Sequence, residues 1–466
     1  MRRMALSALI MRTTRASGVV ALVLAGFAVT HAKAEPSRQL KLADLLVHAH
    51  SSPKLRALRA ETEAAHARVS EAARAWWPRL ELMALAGPAP VVHCSPSPTE
   101  CTSTSPGEIQ MGVSDVFWRL GARASMPVYT FGKISAARDA AEAGVTAADA
   151  LSSAGEADIE VDAARAYYTV KFAREIVLIL DDGKENVEQE LERIEAALQT
   201  ADSGVTEADR FRLRALRAEV DSRLSEAHKL EETGMIGVRL VSGATDVVVD
   251  ARPLEEVAFD LPTAEVARNR AQNRRPEARA ANAGIRAAVG NRDLESARLL
   301  PDLVVVAEAT LARDPAADDP RNAFAYDPLN VTSMIAGVGL RWTLDIGTST
   351  ARLEGARAEV VRARANADWA AAGMAAEASR AWAEARDARD RLATAKQGRK
   401  DARGWLLAVK QANSAGLAEP KEFVDALLQH FAMNVRLAQA IYDWNLGTFV
   451  LGRATGMDVA SQHAGQ

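Results

Sequence analysis

Two cysteines and a few histidines are the residues of this sequence best suited to chemistry, and their spacing limits what they can do. Cys94 and Cys101 bracket six residues in a segment rich in proline, serine and threonine. His93 precedes Cys94, but three side chains are too few for a closed zinc site, so no metal or cofactor is expected. His48 and His50 lie two residues apart on a predicted helix and face different directions.

The motifs of common catalytic sites are missing from the sequence. It has no Gly-x-Ser-x-Gly nucleophile motif, no phosphate-binding glycine-rich loop ahead of a helix, and no His/acid spacing typical of a metal site. The 466 residues carry 57 Lys and Arg against 61 Asp and Glu, and this near balance argues against nucleic-acid binding. We therefore expect no enzyme, and the function must follow from the architecture.

Residues 1–34 are predicted to be a signal peptide. They combine a basic start, an apolar stretch over 18–29 and a small-x-small cleavage site at Ala32-Lys33-Ala34. No cysteine follows that site, so no lipid anchor is expected. In the oxidising compartment that export implies, Cys94 and Cys101 are expected to form a disulfide.

The rest of the chain has no apolar run close to the about 20 residues of a membrane-spanning helix. It does contain two similar halves, since Pro53 and Pro78 have the same separation as Pro276 and Pro301. A duplicated unit of about 215 residues is far longer than a solenoid repeat. Both halves are predicted to contain a helix, two strands, a very long helix and a shorter helix.

The predicted elements have definite bounds. The first half, 35–250, holds a helix from Pro53 to Trp77, strands 80–89 and 115–128, a long helix over 132–202 and a helix over 205–234. The second half, 251–456, holds a helix over 263–299, strands 303–311 and 333–344, a long helix over 348–414 and a helix over 419–450, before a tail at 457–466. The long segments lack proline, so each helix would extend about 100 Å at about 1.5 Å per residue.

Two of the predicted strands alternate between apolar residues on one face and mostly small, polar or basic residues on the other. Val116, Trp118 and Leu120 share one face of the first strand. The alternation alone fits a soluble sheet with one buried face as well as a barrel with a wet lumen. The export signal and the missing membrane helix favour the barrel. Its lumen would then carry a basic belt of three arginines, Arg119, Arg123 and Arg341.

These landmarks together resemble the TolC-type outer-membrane efflux channel family. The resemblance rests on Leu42-Ala43-Asp44-Leu45, Ser52-Pro53-Lys54-Leu55, Trp77-Pro78, the segment Pro127 to Lys133, Arg275-Pro276-Glu277 and one glycine turn in each half. It covers essentially the whole mature chain. It implies a mainly α-helical homotrimer with a β-barrel part. Long antiparallel helical hairpins would form an α-barrel tunnel, and four strands per protomer would contribute to a 12-stranded transmembrane β-barrel.

The resemblance also implies a function and partners. The chain would be a passive exit duct in the lipid of the outer membrane, extending into the periplasm, for small molecules such as drugs or metal ions. A periplasmic adaptor and a proton-driven or ATP-driven inner-membrane pump would be its partners. Two alternatives remain: the exit duct of a type I protein secretion system, and a periplasmic coiled-coil scaffold or adaptor that never enters the membrane.

Site residues follow from the same resemblance. Three copies each of Glu422 and Asp425 would form an acidic constriction at the periplasmic entrance, and Arg210, next to Asp209, could pair with them and hold the entrance shut. The same residues could instead be ordinary solvated charges on helix surfaces. The adaptor is expected to dock at the two helical turns, which comprise Gly204, Val205, Thr206, Gly416, Leu417 and Ala418.

Overall fold

The computed structural model describes residues 38–94, 107–199, 205–318, 327–414 and 420–459. The chain divides into two units, 1–37 and 38–466, and all described residues belong to the second. Several predictions therefore fall outside the described residues. They concern the signal peptide, the tail beyond residue 459, the Cys94–Cys101 disulfide and the turn residues Gly204, Gly416, Leu417 and Ala418.

Helices make up most of the described chain, with six strands between them. The strands are β1 (Arg38–Leu40), β2 (Arg79–Cys94), β3 (Gly107–Tyr129), β4 (Val247–Val249), β5 (Asp302–Arg313) and β6 (Thr332–Arg341). The helices are α1 (Leu42–Ala49), α2 (Pro53–Ala73), α3 (Lys133–Ala197), α4 (Glu207–Ser242), α5 (Ala264–Arg274), α6 (Pro276–Ala297), α7 (Ile346–Ser414) and α8 (Pro420–Thr455). A single 3₁₀ turn at Arg74–Trp76 follows α2.

Two very long helices organise this unit. Helix α3 has 65 residues and α7 has 69, which correspond to about 98 Å and about 104 Å. Each pairs with a shorter antiparallel helix. Ion pairs Arg174–Glu231 and Arg217–Glu188 join α3 to α4, and Arg391–Asp443 joins α7 to α8. Residue numbers rise on one helix as they fall on its partner, so each pair is an antiparallel hairpin.

Near the sheet, α3 is flanked by α2 and α6 instead. The contact with α6 is close because Gly290 faces the backbone of Ala140, where an added Cβ would lie 2.8 Å from the nitrogen. Gly155 of α3 likewise faces the side chain of Leu58 on α2. Glycine at these contacts thus lets α2 and α6 approach α3 closely, although glycine has a low helix propensity.

The middle of the unit holds the largest apolar core. Strand β1 pairs in parallel with β4, and Leu40, Val247 and Val249 are buried there against α1 and α3. Lys171 of α3 is also buried. Its ammonium group pairs with the Asp250 carboxylate and donates to the carbonyl oxygens of Asp250 and Arg252 at 3.0 and 2.7 Å. All three donors are satisfied, so the buried charge is compensated.

The helix predicted over 263–299 is two helices. Helix α5 ends and α6 begins at Arg275, whose backbone is extended (ψ 136°). The residue before a proline disfavours the helical conformation, and Pro276 has no N–H to continue the hydrogen-bond ladder. Arg275 is buried at this break and pairs with Glu277 and with Glu377 of α7. The ion pairs of Arg275 therefore connect the break between α5 and α6 to α7.

Four strands form the second sheet, in the order β2-β3-β5-β6, with every neighbouring pair antiparallel. Its strands β2 and β3 are longer than predicted and extend to Cys94 and from Gly107. Left-handed backbone at Phe131 (φ 49°) and Gly132 (φ 91°) turns the chain from β3 into α3. Within the described residues, no helix is both long and apolar enough to cross a membrane.

Candidate functional site: a two-faced sheet and the end of the helical hairpins

The register of the four-stranded sheet places every other residue on one of two faces. Leu82 pairs with Ala122, Ala124 with Ala307, and Ala307 with Ala336, so these residues share one face. This first face carries only apolar side chains over 80–86 of β2, 118–126 of β3, 303–311 of β5 and 334–340 of β6, and Arg313 and Thr332 lie beyond these ranges. We call it the apolar face.

The apolar face is exposed although it carries no charge over these ranges. Leu82, Met334 and Val338 are 74%, 81% and 69% exposed. Along β5 the band runs from Leu303 to Leu311, which is about 27 Å at about 3.4 Å per residue. Trp77, Tyr129 and Trp342 are exposed at the helix-side end of the sheet. The exposed apolar band is therefore bordered by aromatic side chains at one end.

The opposite face carries the charges, and we call it the polar face. Arg123 pairs across the sheet with Glu308, with 3.2 Å between guanidinium nitrogen and carboxylate oxygen. Arg119, four residues away on the same strand and face, donates to the carbonyl oxygen of Pro328 at 2.8 Å. At the helix-side end, Lys133 donates to Asp302 at 2.7 Å, and Arg341 lies 3.7 Å from the same carboxylate.

The three arginines expected to form a basic belt, Arg119, Arg123 and Arg341, are therefore not all unpaired. All three lie on the polar face, but Glu308 neutralises Arg123, and β2 adds Glu81 directly opposite Arg123. The sequence did not show which acidic side chains lie opposite these arginines, because the register between the strands was unknown. The surplus positive charge instead lies at the helix-side end of the sheet.

The other part of the candidate site is the end of the helical hairpins, farthest from the sheet. A cluster of apolar side chains joins all four helices there; we call it the tip cluster. It contains Val187, Leu191, Ile194, Leu213, Val409, Phe423, Val424, Ala426 and Leu427. Val205, one of the predicted docking residues, packs against it. The two hairpins thus end as one packed unit.

An ion pair links the two hairpins beside this cluster. Arg212 of α4 pairs with Asp425 of α8, and both side chains are about two-fifths exposed. Arg210, the arginine predicted to pair with Glu422 or Asp425, instead pairs with Glu207 and lies 5.4 Å from the Phe211 ring. Residues two apart on a helix point in nearly opposite directions, so only one of the two arginines can face α8.

The remaining predicted residues of this end have local roles or are exposed. Asp209 accepts hydrogen bonds from the backbone N–H and the hydroxyl of Thr206 at 3.0 and 2.7 Å, so the two residues cap the start of α4. Glu422 is exposed in the first turn of α8. Its carboxylate is favourably placed there because the N-terminal end of a helix carries partial positive charge.

A histidine farther along α8 adds to the electrostatics of this region. Burial lowers the pKa of the His430 imidazole; Asp182 opposes this shift, and Arg399 and Arg403 add to it. Across the described ranges, no three His, Cys, Asp or Glu side chains come together in a way that could hold a metal ion.

Two long hairpins with a capped, charged end and a sheet with one apolar and one polar face are features of a channel. Residues 267–456 match the model of the outer membrane efflux protein family. The second half of the chain thus resembles this family. The match confirms the resemblance inferred from the sequence. Members of the family are outer-membrane efflux channels that work with adaptor and pump partners, and they are not enzymes. No curated protein sequence matches the chain.

Solved structures of outer-membrane channels share the fold. The OprN channel superposes with a TM-score of 0.70 at 19% identity, over 91% of this chain and 94% of that chain. The Campylobacter jejuni CmeC channel gives 0.72 at 14% identity, over 89% and 85%. The open state of the Neisseria gonorrhoeae MtrE channel gives 0.71 at 16% identity, over 91% and 89%. The chain is thus similar in fold to these channels along most of its length.

Sequence reasoning missed three residues of the candidate site. Arg212 was overlooked because several arginines follow one another on α4 and the sequence alone does not orient them. Arg79 and Lys133 were overlooked because they lie on different elements that only the fold brings together. A signal existed for Lys133, since it directly follows the Phe131-Gly132 junction at the end of a strand.

Proposed function

We propose that the chain is the outer-membrane exit duct of a tripartite export system, and that it carries small molecules such as drugs or metal ions outward from an inner-membrane pump and a periplasmic adaptor. The observation that carries this proposal is the exposed apolar face of the sheet. Burying it in lipid removes the apolar surface from water, while the polar face lines an aqueous passage.

Three copies of the chain would complete the passage. A single four-stranded sheet leaves backbone N–H and C=O groups unpaired on β2 and β6, and lipid offers them no partner. Pairing β6 of one copy with β2 of the next removes both edges. Four strands from each of three copies then form a barrel of twelve strands, and the helical hairpins continue the passage into the periplasm.

The end of the hairpins at the tip cluster would control whether the duct is open. Three Arg212–Asp425 pairs would hold the hairpins together, and Glu422 would add exposed carboxylates near the axis. The turns that contain Gly204, Val205 and Thr206, and Gly416, Leu417 and Ala418, would receive the adaptor. Partly exposed ion pairs are weak, at about 0–1 kcal/mol each, so adaptor binding could break them at small cost.

Planar-bilayer conductance of the purified protein tests the proposal. We expect a stable, ohmic conductance from the natural sequence and a larger one from Asp425→Ala, because the substitution removes the tie between the hairpins. Asp443→Ala is the matched control. It removes an aspartate of the same helix that pairs with Arg391 within one hairpin, and it should leave the conductance unchanged. Absence of any conductance, with the protein in the soluble periplasmic fraction, would contradict the duct.

A further inference from the structure

The helix-side end of the polar face holds an uneven set of charges. Arg79 of β2, Lys133 of α3 and Arg341 of β6 line one cavity of about 140 Å³ together with a single acidic residue, Asp302 of β5. Four different elements therefore bring three cations and one carboxylate to one place. No other acidic side chain among the described residues lines this cavity.

The carboxylate of Asp302 already forms an ion pair with Lys133. Lys133 donates to Asp302 at 2.7 Å and to the carbonyl oxygen of Leu300 at 2.8 Å, and both Lys133 and Asp302 are more than four-fifths buried. Both members of this pair line the cavity. Arg341 lies 3.7 Å from Asp302, beyond hydrogen-bond length, and more than half of its side chain is exposed.

Arg79 has no acidic partner at all within the described part of the chain. Its direct cross-strand neighbour is Ser125, and the nearest acidic residue on the same face of β2 is Glu81, which lies opposite Arg123. Arg79 and Arg341 therefore both present guanidinium groups to the open space. Three cations and one carboxylate leave two positive charges per copy.

We propose that this junction between sheet and helices is an anion-selective ring of the duct, which favours negatively charged solutes over cations of the same size. The inference rests on the proposed function, since three copies would bring six surplus positive charges around one axis. Guanidinium groups suit carboxylate, sulfate and phosphate groups because they donate two parallel hydrogen bonds. The solutes concerned are thus small organic or phosphorylated anions, and the ring acts on their passage.

Blockade by a compact polyanion tests the ring directly. Inositol hexakisphosphate is added to both chambers of a planar bilayer that holds channels of the natural sequence, and the current is recorded as the concentration rises. We expect a concentration-dependent block that weakens at high salt. In a channel carrying Arg79→Gln and Arg341→Gln together, the half-blocking concentration should rise by roughly tenfold, since the substitutions remove both exposed cations.

Two control variants separate charge at the ring from charge elsewhere. Arg313→Gln removes an arginine of the same sheet whose register places it on the other face, so the block should not change. Arg79→Lys keeps the charge and should retain most of the block. Each arginine is also replaced singly, in case the double variant fails to fold; Lys133 and Asp302 stay paired in all of these variants.

The outcomes distinguish this inference from the proposed function. A conducting channel that the polyanion does not block, or an equal block in the double variant, would overturn the anion-selective ring and leave the duct intact. The same weakening in Arg313→Gln would also overturn it, because the effect would then not depend on the polar face. If the natural sequence carries no current, both proposals fail together.

Discussion

Arg212 of α4 and Asp425 of α8 form an ion pair that ties the two helical hairpins together where they end. The pair lies at the margin of the tip cluster, where Leu213 is fully buried and Phe423 nearly so. Its two side chains remain partly exposed, so water and salt weaken it. This ion pair can therefore break without disrupting the apolar packing of the tip cluster.

The first prediction concerns this tie. Arg212→Gln should raise single-channel conductance, and by a similar amount to Asp425→Ala, because either substitution breaks the same pair. Thermal stability should change by less than about 1 kcal/mol, as is typical of exposed pairs. Arg214→Gln is the control, since Arg214 pairs with Glu195 inside one hairpin at 2.8 Å. Equal conductance of Arg212→Gln and Arg214→Gln would show that the tie does not restrict the passage.

The second prediction uses two neighbouring residues of β2 with opposite orientations. Leu82 lies on the apolar face and is 74% exposed, whereas Met83 lies on the polar face and is 60% exposed. An arginine on a lipid-facing position near the bilayer centre costs about 2–4 kcal/mol. Leu82→Arg should therefore sharply reduce the protein recovered from the outer-membrane fraction, while Met83→Arg should not. Equal recovery of the two variants would mean that the apolar face does not meet lipid.

The third prediction tests the close contact between α3 and α6. Replacing glycine with alanine in a helix interior stabilises it by up to about 1 kcal/mol when space is available. Gly284→Ala should show this gain, since no atom lies within 4 Å of the added Cβ. Gly290→Ala should instead lower the thermal unfolding temperature, because its Cβ would meet the backbone of Ala140 at 2.8 Å. A rise in both variants would contradict the close approach of the two helices.

The fourth prediction is a dependence of stability on pH. Burial acts to raise the pKa of Glu277, but hydrogen bonds from Arg275 and Arg453 outweigh it and lower the pKa to about 2, from an ordinary value of 4.5. The unfolded chain takes up this proton first as the pH falls. The stabilisation by Glu277, on the order of 3 kcal/mol, is therefore complete above pH 4.5 and lost between pH 4.5 and 2.

Thermal unfolding between pH 6 and 2.5 measures this contribution. The natural sequence should lose stability across the window more steeply than Glu277→Gln, which has no proton to gain there. Glu226→Gln serves as the control, since Glu226 is an exposed residue of α4 paired with Arg223 at 3.5 Å. It should follow the natural sequence throughout. Parallel curves for all three proteins would exclude a special role for Glu277.

Much of the architecture could be read from local patterns. Proline-free, alanine-rich segments predicted the two very long helices, because helix propensity and the absence of a breaker act within a few residues. Apolar residues at helical spacing also mark the packing face of α3, where Leu180, Val187, Leu191 and Ile194 are buried. Alternation in β3 and β6 predicted two faces, since side chains of a strand point alternately to opposite sides.

What local patterns could not supply was the pairing between distant segments. Whether Arg210 or Arg212 meets Asp425 depends on the rotation of α4 against α8, and whether Arg123 stays free depends on the register of β3 against β5. The cavity of Arg79, Lys133, Asp302 and Arg341 joins four elements spread over more than half of the chain. Such contacts form only when the helices and strands pack, because charge compensation acts through space and not along the sequence. Tertiary structure therefore decided which charges are neutralised and which remain free to act on a solute.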